Sequence, residues 1–263
     1  TLGGSGLLQI TNLAASPDGL HLIAIGAYPD PVIYNSRYST RTLRWDLQTG
    51  TYEVIPNQDV AFAAAYSPNG RQLVLGRSDG TVHLYDAETL ALQNVLLNEG
   101  EVGQVAFSNN GRLLAVANDN YIRLWDTQSL TVINRVQSES GFFFDRLLFT
   151  SDDNWLVFNR QVWKIEDGGR LMARWDETDT TDEVLRLLYN GTDYPTHSYR
   201  VSDSLLLRGT TLIDVEQEAH LWSDDFFRFE RYDPRAVVLT EDLIIAGSSD
   251  GSLRLYGIML DGE

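Results

Sequence analysis

Residues 41–50, RTLRWDLQTG, form a short run of apolar and charged side chains that ends in Trp-Asp and a polar turn. Similar runs return as GTVHLYDAETL at 80–90 and as NYIRLWDTQSL at 120–130. Each run has the length of a β-strand, and each contains an aromatic residue followed by Asp. A segment that returns every 40 residues predicts a fold built from copies of one small unit.

Two series of landmarks extend this repeat along the chain. The first is the strand end, found at Trp45-Asp46, Tyr85-Asp86, Trp125-Asp126, Glu166-Asp167, Ile213-Asp214 and Tyr256-Gly257. The second is a polar turn, found as SPDG at 16–19, SPNG at 67–70, SNNG at 108–111, SDDN at 151–154, SDS at 202–204 and TED at 240–242. Short apolar runs follow these turns, and hairpin signals follow three of the runs, at Asp79, Asp119 and Asp250. The unit is therefore strand, polar turn, strand, tight hairpin, strand, turn, strand.

This unit predicts an all-β fold. Four antiparallel strands in 40 to 47 residues are the blade of a β-propeller. Six strand ends predict a single propeller domain of six four-stranded blades over residues 6–263, after a flexible lead-in at 1–5. The chain ends just after the third strand of the last blade, so the N-terminal strand GLLQIT at 6–11 would pair into that blade and close the ring. Seven blades are the alternative.

The aromatic-Asp strand ends resemble those of the WD-repeat family, and the resemblance covers essentially the whole chain. Members usually also carry a Gly-His pair that joins a buried Asp, a Ser or Thr and a Trp through hydrogen bonds. No Gly-His pair occurs here, so only the acidic member of that set is matched. The structural residues that the resemblance implies are Trp45, Asp79, Asp86, Asp119, Trp125, Asp126 and Asp250. Thr42 and Arg44 stand where the other units have apolar residues, which predicts a β-bulge or a register slip in the first unit.

Three insertions interrupt the repeat, at 27–40, 176–199 and 223–235. In an antiparallel meander of four strands, the loop between the second and third strands and the loop to the next blade leave from the same face. The first insertion falls in the former kind of loop and the other two in the latter. We therefore expect all three at one rim, formed by blades 4, 5, 6 and 1, where repeat proteins commonly bind partners.

The insertions interleave aromatic residues with arginines, and both are enriched at protein interfaces. The candidate partner-binding residues are Tyr34, Arg37, Tyr38, Tyr189, Tyr194, Phe226, Phe229, Arg231 and Tyr232. The alternative is that these side chains pack against one another and hold the loops to the blades. We expect a non-catalytic interaction or scaffold module that binds a protein or a peptide.

Signatures of catalysis and of metal binding are sparse. The chain has no cysteine, no Gly-rich phosphate loop and no His-Glu-x-x-His, and its acidic cluster at 176–183 lacks the register of a calcium loop. We therefore predict no catalytic residue, no metal ligand and no cofactor. A hydrolase or lactonase that uses carboxylates or a metal at the mouth of the central channel is the alternative. A subunit whose flat faces serve assembly is a third interpretation.

The charge of the chain bears on its partners. A formal net charge of −17 argues against nucleic acids and anionic membrane surfaces, because cations must neutralise their phosphates. It favours a partner with basic and aromatic residues. No apolar run approaches the roughly 18 residues of a spanning helix, so no membrane insertion is expected. The missing initiator Met and the missing cysteine lean towards an extracytoplasmic location.

Overall fold

The computed structural model of the chain describes residues 9–27, 40–56, 60–118, 120–137, 147–149, 153–158, 161–166, 170–174, 198–200, 205–208, 211–214, 219–223, 236–239, 243–247 and 253–257. Every regular element within these ranges is a β-strand. The predicted all-β class is therefore confirmed.

The strands form sheets in which chain neighbours pair side by side. The first two sheets contain β1 (Gln9–Ala15), β2 (His21–Ala27), β3 (Thr40–Asp46) and β4 (Tyr52–Ile55), then β5 (Ala61–Tyr66), β6 (Gln72–Arg77), β7 (Thr81–Asp86) and β8 (Leu92–Leu97). The next two contain β9 (Gln104–Phe107), β10 (Leu113–Ala117), β11 (Tyr121–Asp126) and β12 (Thr131–Gln137), then β13 (Leu148–Phe149), β14 (Trp155–Phe158), β15 (Gln161–Glu166) and β16 (Arg170–Arg174). The last two contain β17 (Ser198–Arg200), β18 (Leu205–Arg208), β19 (Thr211–Asp214) and β20 (Ala219–Ser223), then β21 (Ala236–Leu239), β22 (Leu243–Gly247) and β23 (Leu253–Gly257).

A β-bulge recurs between the third and fourth strands of the second, third, fourth and fifth sheets, at Leu84/Tyr85, Leu124/Trp125, Trp163/Lys164 and Leu212/Ile213. The first sheet differs, because β3 pairs without interruption with both β2 and β4. The predicted bulge or slip at Thr42 and Arg44 is therefore wrong. Thr42 is buried in its regular register, and Arg44 finds polar partners in the second sheet.

The N-terminal strand also differs in part from the prediction. Gln9 and Ile10 pair with Ala27 and Gly26 of β2, so residues 9–11 belong to the first sheet and not to the last. The physical reason is burial: Ile10 is fully buried there, and the Thr11 hydroxyl donates to the carbonyl of Ile25 at 3.2 Å. Residues 6–8, the rest of the predicted closing strand, lie outside the described residues.

The core lies between consecutive sheets. The second strands β2, β6 and β10 are buried on both faces, whereas the fourth strands β4, β8 and β12 are largely exposed. One apolar cluster joins the first sheet to the second, another the second to the third, and another the third to the fourth. The first four sheets are therefore stabilised by the apolar area that they bury against one another.

The first strands of the sheets are also neighbours in space. The Cα atoms of β1 lie within 8 Å of those of both β5 and β21, and β9 lies in the same way beside β5 and β13. β17 lies beside β21. The first strand of the chain thus lies next to the final described sheet.

Candidate interaction site

Three equivalent Asp residues close the turns between the third and fourth strands. One carboxylate oxygen of Asp46, Asp86 or Asp126 accepts the backbone N–H groups two and three residues later. In two of the turns the same oxygen also accepts a hydroxyl, from Thr89 or Ser129. The N–H three residues later contributes most to lowering the pKa of each carboxyl. These carboxylates therefore stabilise turns.

The connection from the second sheet to the third is short and is braced against a hairpin. The N–H of Asn98 donates to the carbonyl of Gly80 at 2.8 Å, and the N–H of Val102 donates to that of Arg77 at 2.9 Å. Gly80 has a φ of +82°, and a Cβ there would lie 2.8 Å from the Asn98 carbonyl oxygen. The backbone of this connection is thus committed to holding two sheets together.

A charged cluster covers the outer end of the same boundary. Arg123 and Arg135 lie 2.9 and 3.1 Å from one carboxylate oxygen of Glu99, and Arg123 also donates to the Asn98 side chain at 2.9 Å. The Arg135 guanidinium lies 3.8 Å from the centre of the Tyr121 ring, in the geometry of a cation–π contact. These side chains link β11 and β12 to the segment that follows β8.

The three insertions connect strand ends of the predicted kind. Residues 28–39 join β2 to β3, residues 175–197 join β16 to β17, and residues 224–235 join β20 to β21. The first thus connects two strands of one sheet, and the other two connect successive sheets. All nine candidate partner-binding residues lie in these segments, outside the described residues: Tyr34, Arg37, Tyr38, Tyr189, Tyr194, Phe226, Phe229, Arg231 and Tyr232.

The structure describes five of the seven predicted structural residues, because Asp119 and Asp250 lie outside the described part. Trp45 and Trp125 are buried in their sheets. Asp79 accepts the N–H and the hydroxyl of Thr81 at 2.9 and 2.6 Å. Partial burial alone would raise the pKa of Asp79, but these hydrogen bonds lower it. Asp79 therefore stabilises its own hairpin.

Among the residues that the structure describes, no three His, Cys, Asp or Glu side chains are grouped as metal ligands would be. No helix suited to crossing a membrane occurs in those residues.

Comparison with known proteins identifies two repeats in the chain. The model of the WD domain, G-beta repeat, matches residues 54–86 and 93–126. These two segments are therefore similar to WD repeats. Each matched WD repeat starts in the outermost strand of one sheet, β4 or β8, and ends at the Asp that closes the third strand of the next, Asp86 or Asp126.

The chain is similar to segments of longer proteins. It is 39% identical over 125 residues to Pre-mRNA-processing factor 19 homolog 2 of Arabidopsis thaliana, which covers 46% of this chain and 23% of that protein. It is 25% identical over 192 residues to Cilia- and flagella-associated protein 57 of Mus musculus, covering 65% of this chain and 14% of that protein. Coronin-7 of Rattus norvegicus is 36% identical over 91 residues, covering 33% and 10%. The chain thus spans less than a quarter of the length of these relatives.

The absence of a Gly-His pair has a visible consequence in these repeats. The indole nitrogens of Trp45 and Trp125 are buried and have no hydrogen-bond partner. Trp45 instead packs against Tyr52, with ring centroids 4.7 Å apart. The two indoles therefore act through apolar packing rather than through a hydrogen-bonded set.

Sequence reasoning missed two features of the described surface. One is the link that Arg44 makes to the second sheet. The other is the group of exposed apolar side chains on β8. The sequence contains a signal for these exposed apolar side chains, because residues 89–98 include no charged side chain.

Proposed function

We propose that this WD-repeat chain is a non-catalytic interaction module whose sheets form a ring of six blades. We further propose that the loops of blades 4, 5, 6 and 1 bind a protein or a peptide. The observation that carries the proposal is the position of the three insertions, each at a strand end where the repeat predicts the same face. The net charge of −17 supports a protein partner over nucleic acid or a membrane surface.

The neighbour relations of the first strands support the ring. β1, β5, β9 and β13 follow one another at distances within 8 Å, and β1 is equally near to β21. A linear array of sheets would not bring its first strand beside its last sheet. A closed ring does so and protects the sheet edges at both ends.

The WD repeats are offset from the sheets by one strand, and this offset supports closure of the ring by the N-terminal residues. Each matched repeat supplies the outer strand of one sheet and the three inner strands of the next. The final sheet has three described strands, β21, β22 and β23. By the same offset, the residues that precede β1 would supply its fourth strand.

The chemistry of the insertions supports binding at this rim. Aromatic rings bury a large area at a low cost in side-chain entropy. Arginine side chains can form two parallel hydrogen bonds with one carboxylate. The connection at 98–103, by contrast, is short and its backbone is bonded to the adjoining sheets. We therefore propose that the partner binds the long insertions and not this connection.

The test begins with photo-crosslinking. A benzoylphenylalanine is introduced at Tyr38 or at Phe229, and the protein that it captures from an extract is identified and purified. Binding of that protein is then compared between the wild type and the Y38A/F226A/F229A/Y232A variant. We expect the affinity to fall at least about tenfold, because hot-spot aromatics carry much of the binding energy.

The control is Y52A, which removes an exposed aromatic residue from the outer strand β4 and away from the loops. Circular dichroism establishes that each variant is folded before its affinity is measured. Equal affinity of the fourfold variant and the wild type would refute the rim as the binding site.

A further inference from the structure

β8 is an unusually apolar edge. It is the last strand of its sheet, and its side chains Leu92, Val95 and Leu97 are 51%, 45% and 74% exposed. Edge strands usually carry charged residues, which prevent another chain from pairing with them. Two other outer strands follow this rule, since β4 contains Glu53 and β12 contains Arg135. β8 has none.

The exposed residues lie on one face of the sheet. The pairs that the register gives are Thr81 with Leu97, His83 with Val95, and Tyr85 with Leu92. Alternate residues of a strand share a face, so the three partners on β8 share it as well. At the bulge at Leu84/Tyr85, β8 contains one unpaired residue, Gln93. Because of this extra residue, Leu92 lies on the same face as Val95 and Leu97. We call Leu92, Val95 and Leu97 the β8 strip.

Two of the three equivalent positions of the third sheet are polar. Its register pairs Arg123 with Arg135 and Tyr121 with Gln137, so Arg135 and Gln137 match Val95 and Leu97, whereas Val132 matches Leu92. Arg135 contacts Glu99 and the ring of Tyr121. The positions of Val95 and Leu97 are thus polar on β12 and apolar on β8.

The two ends of β8 differ in charge. Asp86 and Glu88 stand in the turn before the strand, and Arg44 beside them is already paired with Glu53. At the other end, Glu99 is neutralised by two arginines. Two carboxylates, Asp86 and Glu88, thus stand where β8 begins, whereas Glu99 at the other end is paired with two arginines.

We propose that the β8 edge binds an extended segment of a partner protein as an added strand. Every described pair of neighbouring strands is antiparallel, so the added strand is antiparallel as well. Its alternate apolar residues face the β8 strip. Its C-terminal end carries basic residues, which lie beside Asp86 and Glu88. This surface includes no residue of the three insertions, and the inference does not rest on the proposed function.

The net charge of the chain argues against a second copy of the chain as the molecule that binds the β8 edge. Two chains of −17 repel each other, and β8 offers no cation to offset the repulsion. A basic segment gains from the same charge. Its main-chain hydrogen bonds supply affinity, and the strip selects its side chains.

The test uses short fluorescent peptides as probes. The first is acetyl-VTVTVTKK-amide, and the second is acetyl-KKVTVTVT-amide, in which the basic residues are moved to the other end. A third matches the first but has N-methyl groups on alternate backbone nitrogens, which removes hydrogen-bond donors. Anisotropy gives the dissociation constants, and hydrogen exchange at saturation shows which strand gains protection.

We expect the first peptide to bind most tightly and to protect residues 92–97. The V95Q/L97Q variant replaces two residues of the β8 strip by neutral polar residues, at positions that are polar in β12. It should weaken binding about tenfold or more. V54Q is the matched control, because Val54 is 46% exposed on the outer strand of the neighbouring sheet. It should leave binding unchanged.

Four results would overturn the proposal. They are equal binding by V95Q/L97Q, equal binding of the N-methylated peptide, tighter binding of the second peptide, and protection of β4 or β12 instead of β8. Sedimentation of the free protein tests the other occupant. A dimer that V95Q/L97Q dissociates would assign the edge to a second copy and so refute a partner segment.

Discussion

The Nη1 atom of Arg44 donates to the carbonyl of Ala87 at 2.7 Å, and this bond ties the first sheet to the second. The same nitrogen donates to the carbonyl of Glu88 at 2.9 Å, and Glu53 balances the charge of the guanidinium. Apolar Leu84 and Leu124 stand at the matching places of the next two sheets. At this position of the repeat, the first sheet thus has a directional polar link to its neighbour, and the next two sheets have apolar side chains.

Removal of this link should destabilise the chain. We expect R44A to lower the free energy of unfolding by about 1–3 kcal/mol, because hydrogen bonds that involve a charged group contribute that much. R44L should recover part of the loss, since leucine packs well at this place in the second and third sheets. Urea denaturation followed by fluorescence measures both effects.

R71A is the control for the loss of an arginine, because Arg71 is exposed in a turn. It should change the free energy of unfolding by less than about 0.5 kcal/mol. If R44A and R71A are equally stable, the link from Arg44 to the second sheet contributes nothing.

Acid should weaken the turns that Asp residues close. The pKa of Asp86 is lowered by the N–H and the hydroxyl of Thr89, so its charged form is favoured in the folded chain. Its contribution is complete above the unfolded pKa, near 3.8, and is lost as the pH falls through the lower folded pKa. D86N should therefore lose less stability than the wild type between pH 7 and pH 3.

E88Q removes one negative charge from the same turn and serves as the control. Urea midpoints at several pH values compare the three proteins. An identical pH dependence for D86N and the wild type would mean that the turn does not hold the carboxylate in its charged form.

At Leu130, we expect substitution by glycine to destabilise the chain less than substitution by alanine, which is the reverse of the usual order. It has a φ of +55° and packs against the apolar cluster between the second and third sheets. L130A loses the packing and keeps the strain, which is about 1–2 kcal/mol for a residue with a Cβ, whereas L130G loses both. We expect L130G to be about 1 kcal/mol more stable than L130A by urea denaturation.

The extended residue Val132 supplies the opposite comparison. V132G should be about 0.5–1 kcal/mol less stable than V132A, because glycine costs more entropy in a strand. The same order at both positions would contradict the strain assigned to Leu130.

Gly76 should be coupled to Val102. A Cβ added at Gly76 would overlap Cγ1 of Val102, a β-branched side chain that is fully buried. We expect G76A to cost about 1–3 kcal/mol through overpacking. V102A should relieve that cost, so the double variant should show a favourable coupling energy of about 1 kcal/mol or more. Additive effects in this double-mutant cycle would show that the backbone moves away instead.

Prediction from sequence worked where the signal is local. The turn at 67–70 and the hairpin at 79–80 were recognised because Pro, Asn, Asp and Gly have backbone preferences that act within four residues. The bulge predicted at Arg44 failed for the opposite reason. A charged residue at an apolar position of the repeat suggests a slip, unless a carbonyl 43 residues away in another sheet accepts its hydrogen bond.

The candidate sites divide in the same way. The insertions were visible as departures from a spacing of about 40 residues, and the strands on either side of them agree with the predicted connections. Their aromatic residues remain predictions. The uncharged run at 89–98 indicated an apolar strand, but the common face of the β8 strip could not be predicted, because it depends on a bulge opposite Tyr85.

By itself, the sequence determined the unit of four strands and the order of its turns. These follow from strand period and turn chemistry, which each stretch of some ten residues expresses alone. Only the tertiary structure decided that residues 9–11 join the first sheet, that Arg44 reaches Ala87, and that β8 remains apolar and exposed. The reason is that burial and hydrogen bonding between sheets depend on which strands become neighbours, and residues far apart in the chain jointly fix those neighbours.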